Sequence, residues 1–440
     1  MGGILHSKTQ LSPNETPTTF LSLMDRRFLL GAYGRQTRSH IAVAWLARTI
    51  VTASFIAGLA CRYVALDQVT DDTTKFLLPW YEFAQSHGLA SLGHTFTNYT
   101  PFYSYLLVAA TAFHGLFEPW HLIKGISFIF EFGCALMAAR LVASDKERIY
   151  SPSVAFAAVW LAPTVLFNGA VWGQADAIWT FFILLSVYCI SRDRPRAGVV
   201  SFTVAFSVKA QAIFLAPLIF ALVLRRTIHW LWLATIPIVY LAIAAPAWLL
   251  GQPLSDILTV YFNQAETFDR LSMNAANMWL LVPNRFYGPG VAAGMAISAA
   301  AGLVFSIVAA RAKDLCKVEH LVAAAALSLL LMPFVLPKMH DRYFYAFEVM
   351  AIILACLKPR FSVVAIAAQI NGVIAYLSYY GIAAPLMGPA VIGNGWILLQ
   401  LALYTHRKAK DPEQPDSVAF SPTTFAVGAI AFWAIYLLAA

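Results

Sequence analysis

Residues 41–63 read IAVAWLARTIVTASFIAGLACRY, and soon after them comes Asp71-Asp72-Thr73-Thr74-Lys75-Phe76-Leu77-Leu78-Pro79-Trp80-Tyr81. An apolar run of that length spans a bilayer as one helix, for which about 20 residues suffice. The two carboxylates that follow stand at the mouth of the membrane, where an ionised acid is expensive unless it has work to do. Paired acids, a cation and then an aromatic, amphipathic run read as a catalytic loop lying on a bilayer surface.

The rest of the chain agrees with a membrane setting. Of its 440 residues 60% are hydrophobic and only 12% charged, which excludes a soluble globular domain. Further spanning-length runs recur to the C-terminus with short charged breaks between them. No signal peptide is expected, because residues 1–40 are polar or mixed and the first apolar run is too long for one. Cys61, Cys134, Cys189, Cys316 and Cys356 are scattered through apolar runs. They read as small hydrophobes, with neither a disulfide frame nor metal spacing.

The net charge of +8 is a topology signal and does not point to nucleic acid. Breaks at Arg140/Lys146/Arg148, Arg192/Arg194/Arg196, Arg225/Arg226, Arg311/Lys313/Lys317, Lys358/Arg360 and Arg407/Lys408/Lys410 hold sixteen of the thirty basic residues. Six more lie in or just beyond the N-terminal segment, and the positive-inside rule assigns all of these to the cytoplasm. The remaining eight are Arg62, Lys75, Lys124, Lys209, Arg270, Arg285, Lys338 and Arg342. Chain parity puts them at or near the opposite face, where either an anionic ligand or snorkelling to lipid headgroups accounts for them.

Following the chain through the membrane gives an all-α polytopic protein with about 11–13 transmembrane or membrane-embedded helices. Residues 1–40 form a cytoplasmic segment and 41–440 a single transmembrane domain. An outer loop at 65–101 carries an interfacial helix at 73–88, and a second outer loop covers 251–285. Residues 199–224 have cytoplasmic cations at both ends, so they go up and back as two short helices with Lys209 and Gln211 between them. Residues 103–112 and 123–143 both look buried, yet parity allows one crossing, which is assigned to the second. Spans are also expected at 229–250, 291–310, 320–336, 361–380, 386–403 and 419–438.

Five polar clusters meet at the outer face. Asp71-Asp72 is either a solvated loop start or a carboxylate placed to take a proton from a hydroxyl. Trp172-Gly173-Gln174-Ala175-Asp176 offers donors and acceptors suited to sugar hydroxyls, and Asp176 also suits a helix N-terminus. Lys209-Ala210-Gln211 puts a lysine inside an apolar run, at about 2.5–3.5 kcal/mol on insertion scales. It reads as an anion site or as the partner of an acid such as Glu131 or Asp176. Pro337-Lys338-Met339-His340-Asp341-Arg342-Tyr343 combines Lys, His and Arg in a phosphate grip, with no second ligand at zinc spacing. In the last cluster Asn274, Asn277 and Trp279 suit carbohydrate recognition or an ordinary loop.

In their order and spacing these motifs resemble the GT-C superfamily of integral-membrane glycosyltransferases, which take sugar from a polyprenyl-phosphate donor. The branch resembled is the bacterial mannosyltransferase-like one. The residues that carry the resemblance are Asp72 before Pro79-Trp80-Tyr81, Asn98-Tyr99-Thr100-Pro101, Trp172–Asp176, Lys209-Ala210-Gln211 with Pro217, Asn274–Trp279, and His340-Asp341-Arg342-Tyr343. Asp341 stands where many relatives have Glu, and Thr100-Pro101 where a Pro-Pro pair is common.

The resemblance implies a GT-C-like fold with Asp72 as catalytic base and Asp71 as its alternative. It implies donor phosphate held by His340 and Arg342, with Lys338 and Lys209 beside them. Sugar and acceptor contacts would come from Gln174, Asp176, Gln211, Asn274, Asn277, Trp279 and Tyr99. The expected reaction moves a hexose, mannose before glucose or arabinose, from the lipid donor to a glycan or glycolipid acceptor with inversion. It takes place at the outer, periplasmic face of a bacterial inner membrane, with no cofactor and no metal. A secondary transporter or flippase of a lipid-linked or sugar-phosphate substrate is the alternative, since broken helices and intramembrane Lys and Asp suit it too.

Overall fold

A computed structural model describes residues 38–410. Of the expected N-terminal segment only residues 38–40 are described, as the start of a helix. The last expected span, 419–438, lies outside the described residues. The protein is an all-α polytopic membrane protein. Among the described residues seven helices are long and apolar enough to cross a membrane, or eight if one bent pair counts as a span.

The first helix, α1 (Arg38–Val64), is followed by a π-helical turn (Thr73–Leu77) and α2 (Leu78–His87). Next come α3 (Pro101–Thr111) and α4 (Pro119–Ser144). At 11 residues α3 is too short to span, whereas α4 has 26, so the crossing falls where parity put it. The following span is broken. Here α5 (Pro152–Trp160) meets α6 (Pro163–Leu166) and a π-helical turn (Phe167–Val171) at a 46° bend. Pro163 causes the break, because proline lacks an N–H and pushes the residue before it out of the helical region.

Two shorter helices follow, α7 (Asp176–Ser191) and α8 (Pro195–Phe206). As expected, the segment after Arg194 turns back at Lys209, continuing in a 3-10 turn (Ala210–Leu215) and α9 (Ala216–Leu224). The span α10 (Thr235–Leu249) leads to α11 (Leu254–Glu266). The first half of the expected second loop, 251–285, holds this amphipathic helix. Only Ile257 and Val260 of α11 are buried.

The C-terminal half comprises α12 (Tyr287–Ala310), α13 (Val318–Val335), α14 (Tyr345–Leu357), α15 (Ser362–Tyr379) and α16 (Met387–Lys410). All thirteen residues of α14 are buried, which marks it as the central helix, apolar on every side but for Glu348 and wrapped by its neighbours. On α12 the buried residues Gly290, Gly294, Ser298, Gly302 and Ser306 recur every fourth position. Small residues let helix backbones approach closely where lipid supplies no hydrophobic drive. A Cβ on Gly294 would stand 2.7 Å from both Pro337 and Trp279, so only glycine fits there.

Contacts between loops separate two ends of the bundle. At one end Lys358 pairs with Glu319 at 2.5 Å and Glu147 at 3.8 Å, and Arg225 donates to the carbonyls of Ala312 and Lys313. These are the basic breaks that the sequence sorts to one face. The ends of the same helices away from these breaks carry the acidic and basic motifs described below.

Several cations that broke the inside rule have intramolecular partners. Lys75 pairs with Asp71 at 2.6 Å, and Lys124 donates to the carbonyls of Ala65, Leu66 and Gln68 at the end of α1. Arg62 is buried against Glu131 at 2.7 Å, donates to Gly58 O and Trp160 O, and lies 3.5 Å from the centre of the Trp160 ring. Neither a ligand nor a lipid headgroup is needed to hold these three. Glu131→Ala leaves Arg62 buried and uncompensated, which typically costs about 3–5 kcal/mol. The variant should unfold at clearly lower temperature in detergent, while Lys75→Ala, which breaks an exposed pair, should melt like wild type.

Candidate functional site

The turn at the end of α1 splits its two acids. Asp71 points outward with a side chain 67% exposed, whereas that of Asp72 is 23% exposed and turns inward. The π-helical turn that follows accommodates the change of direction, and Thr73 fixes its start through Thr70 Oγ1 at 3.1 Å. Such turns often mark functional positions.

Asp72 Oδ2 accepts a hydrogen bond from Gln174 Nε2 at 3.0 Å. Gln174 reaches it because Gly173 takes φ +63°, a left-handed conformation that favours glycine, and because Ser127 Oγ donates to the Gln174 carbonyl at 2.7 Å. Two residues on, Asp176 opens α7 fully buried. It accepts from Lys209 Nζ at 2.6 Å, Trp179 Nε1 at 3.0 Å and Asn168 Nδ2 at 3.0 Å. The lysine inside the apolar run is therefore an ion-pair partner, of the two acids considered the one at 176. Asp176 faces cations and amides, so its expected sugar contact gives way to a positioning role.

Arg342 links these groups. Its Nη1 stands 3.5 Å from Asp72 Oδ2 and 3.5 Å from Asp341 Oδ1, and its Nε 3.8 Å from Asp176 Oδ2. At those distances it forms ion pairs without close hydrogen bonds, and Nε is buried with no hydrogen-bond partner. A guanidinium with unused donors suits an incoming phosphate, which it can grip bidentately. Lys209 adds a second charge beneath it, 5.4 Å from the centre of the Tyr99 ring and 5.9 Å from that of Tyr343. Tyr99 itself packs edge-on to Trp80 and Tyr103.

A mostly apolar cavity of about 240 Å³ lies beside this cluster, walled by Phe214, Phe268, Met273 and Met295, with Gln211, Gln264, Lys338 and His340 among its polar residues. A short parallel pairing of Ser272–Met273 with Met339–His340 closes one side. Lys338 sits at φ +63°, donates its N–H to Leu271 O at 2.8 Å and bonds Tyr287 Oη through Nζ. Gln211 Oε1 is buried there without a partner. His340 lies between Phe268 and Tyr343. Burial, then the charges of Arg342 and Lys209, pull its pKa down to about 3, so it is neutral at physiological pH. A neutral imidazole can offer a ligand a hydrogen bond but adds no charge.

The amides of the second loop do other work. Asn277 Nδ2 donates to Pro333 O and Leu336 O at 3.3 and 3.1 Å, and Trp279 Nε1 to Val335 O at 2.7 Å. Both satisfy carbonyls freed where α13 ends, while Asn277 Oδ1 stays buried without a partner. Asn274 takes φ +54° and forms an isolated bridge with His340. Asp72, Gln174, Asp176, Lys209, Arg342 and Tyr99 come together, Gln211, Lys338 and His340 line the adjoining cavity, and Asp71 stands apart.

Sequence reasoning missed Tyr376, Tyr379 and Tyr380 at the end of α15. Trp172 lies edge-on to Tyr376 and Tyr379, with ring centres at 5.0 and 4.8 Å. Its Nε1 donates to Tyr380 Oη at 2.6 Å, and Arg342 sits 5.8 Å over its ring. Three tyrosines where an apolar helix runs into Gly381 were the available signal. Among the described residues no group of three or more His, Cys, Asp or Glu is placed to hold a metal ion.

Comparison with protein-family models finds no match, and comparison with curated proteins finds none either.

Asp341 supplies a test of the site's electrostatics. Burial raises its pKa to about 7 from 3.8, against the opposing pull of Arg342. Between those values the folded state binds more protons than the unfolded one, so this group's stabilisation is present at low pH and lost as pH rises through 7. Asp341→Asn keeps a neutral side chain at every pH. Thermal unfolding from about pH 4 to 8 should therefore show a shallower decline in the variant than in wild type. Parallel curves would mean that Asp341 is ionised throughout.

Proposed function

We propose that this protein is a membrane glycosyltransferase that moves a hexose from a polyprenyl-phosphate donor to a hydroxyl acceptor with inversion. The observation that carries the reading is the position of Arg342. It pairs with the partly exposed carboxylate of Asp72, and His340 and Tyr343 of the same turn line a mostly apolar cavity that Lys338 also borders. A base, a phosphate grip and a cavity for an isoprenoid chain thus adjoin one another. The motifs that resemble the GT-C superfamily supply the donor class and put mannose first among the sugars.

In this mechanism Asp72 removes the acceptor proton as that oxygen attacks C1 of the sugar. The C1–O bond to phosphate breaks, and polyprenyl phosphate leaves with the electron pair. Arg342 and Lys209 stabilise the charge that grows on the leaving oxygen, with neutral His340 as a hydrogen-bonding neighbour. Gln174 holds one oxygen of Asp72 and leaves the other open for the proton. The gathering of the basic loops at the opposite end of the bundle, read with the inside rule, supports an outer-face site, in a bacterial cell the periplasmic side of the inner membrane.

With radiolabelled polyprenyl-phosphate mannose, Asp72→Asn should lower transfer by about 10²–10⁴-fold while donor binding persists, because only proton removal is lost. Asp71→Asn should stay active. The reverse pattern would move the base to Asp71, and donor crossing the bilayer without transfer would replace the enzyme by a transporter.

Turnover should also survive excess EDTA. Arg342 lies among the carboxylates of Asp72, Asp176 and Asp341 and supplies a positive charge there itself. A monophosphate leaving group needs less compensation than a diphosphate. Activity lost to chelator and restored by Mg²⁺ or Mn²⁺ would overturn this.

A further inference from the structure

We propose that Tyr379 and Tyr380, backed by Trp172, form the acceptor subsite and that it takes a carbohydrate ring. The inference rests on the glycosyltransferase reading and names the second substrate's class.

The three rings are fixed to one another and to the reacting centre. Trp172 is buried, bonded to Tyr380 Oη and edge-on to Tyr379, while Tyr379 and Tyr380 meet at 5.3 Å in a T-shaped pair. Tyr380 is 43% exposed and Tyr379 half-buried, so both present surface to a ligand. Arg342 lies over Trp172 and pairs with Asp72, which ties the platform to the base. None of the three lines the cavity assigned to the donor chain. The platform and the cavity are thus built from different residues.

Chemistry selects the ligand. The face of an aromatic ring is negative, and the C–H groups on one face of a pyranose are weakly positive, so the two stack. Phenolic hydroxyls at the rim offer partners to the sugar's own hydroxyls. A serine or threonine side chain presents no such face and would leave two rings unused. The platform is also preorganised, since the Trp172 hydrogen bond fixes the Tyr380 ring before anything binds.

The test is saturation-transfer NMR on the full chain in nanodiscs, with methyl α-mannoside, methyl β-glucoside and methyl arabinoside as probes, and N-acetylserine amide as the non-sugar control. Ring protons of at least one glycoside should receive saturation in wild type and in Tyr379→Phe. The signal should fall about tenfold in Tyr379→Ala/Tyr380→Ala, from the loss of two stacking contacts. Tyr380 also holds Trp172, so Tyr379→Ala alone, which breaks no bond to Trp172, provides a second variant and should lower the signal as well. Saturation of the serine probe alone, undiminished signal in Tyr379→Ala, or no saturation by any glycoside in wild type would overturn the subsite. If the glycosides bind here while no polyprenyl-phosphate sugar is ever consumed, the subsite stands and the glycosyltransferase reading falls.

Discussion

The buried ion pair between Lys209 and Asp176 is the constraint on which this end of the molecule depends. Each ion costs several kcal/mol to remove from water, so neither could remain charged in the interior without the other. The pair joins the N-terminus of α7 to the break between α8 and the 3-10 turn. Asp176 then has lone pairs left for Trp179, Asn168 and Arg342. The 341–344 turn is thereby held against both, and Arg342 is carried to within reach of Asp72. Three segments far apart in sequence meet because one salt bridge must be compensated.

Broken helices are the second requirement, because functional side chains can converge only where the backbone stops being regular. Within a membrane every freed carbonyl needs a partner, and this chain supplies them from neighbouring motifs. Thr100 Oγ1 donates to Ser207 O at 2.5 Å where α8 ends, and Ser328 Oγ to Phe214 O at 2.7 Å. Asn277 and Trp279 do the same for the end of α13. Residues that look like ligand contacts in sequence thus serve as caps that let the site exist.

This explains what sequence could and could not reveal. Helix positions were legible because hydropathy and basic breaks carry the cost of membrane insertion directly, as the match of 229–250 to α10 and 361–380 to α15 illustrates. The acids and cations of the site were legible for the same reason, since a buried charge is conspicuous in an apolar run. The direction of each side chain was not. Nothing in the spacing of Asn274, Asn277 and Trp279 distinguishes a sugar contact from a helix cap, and Arg62 and Lys124 looked like free cations until Glu131 and three carbonyls turned out to face them. The tyrosines of α15 stayed hidden because aromatic residues at a helix end are ordinary in membranes. Only their contact with Trp172, whose ring Arg342 overlies, sets them apart.

The arrangement also suggests why one arginine should stand between a base and a phosphate. In the proposed reaction Asp72 begins negative and ends protonated, while the phosphate passes from a singly charged diester to a doubly charged monoester. One negative charge therefore moves from one side of Arg342 to the other, and the total around the guanidinium is unchanged. Arg342 stands 3.5–3.8 Å from its acids, close enough to feel that charge on either side. Lys209, locked to Asp176 at 2.6 Å, supplies a fixed background potential. In the proposed reaction, a cation shared by the two reacting groups and a second one beneath them are in place before the charge moves, the condition under which electrostatic catalysis is strongest.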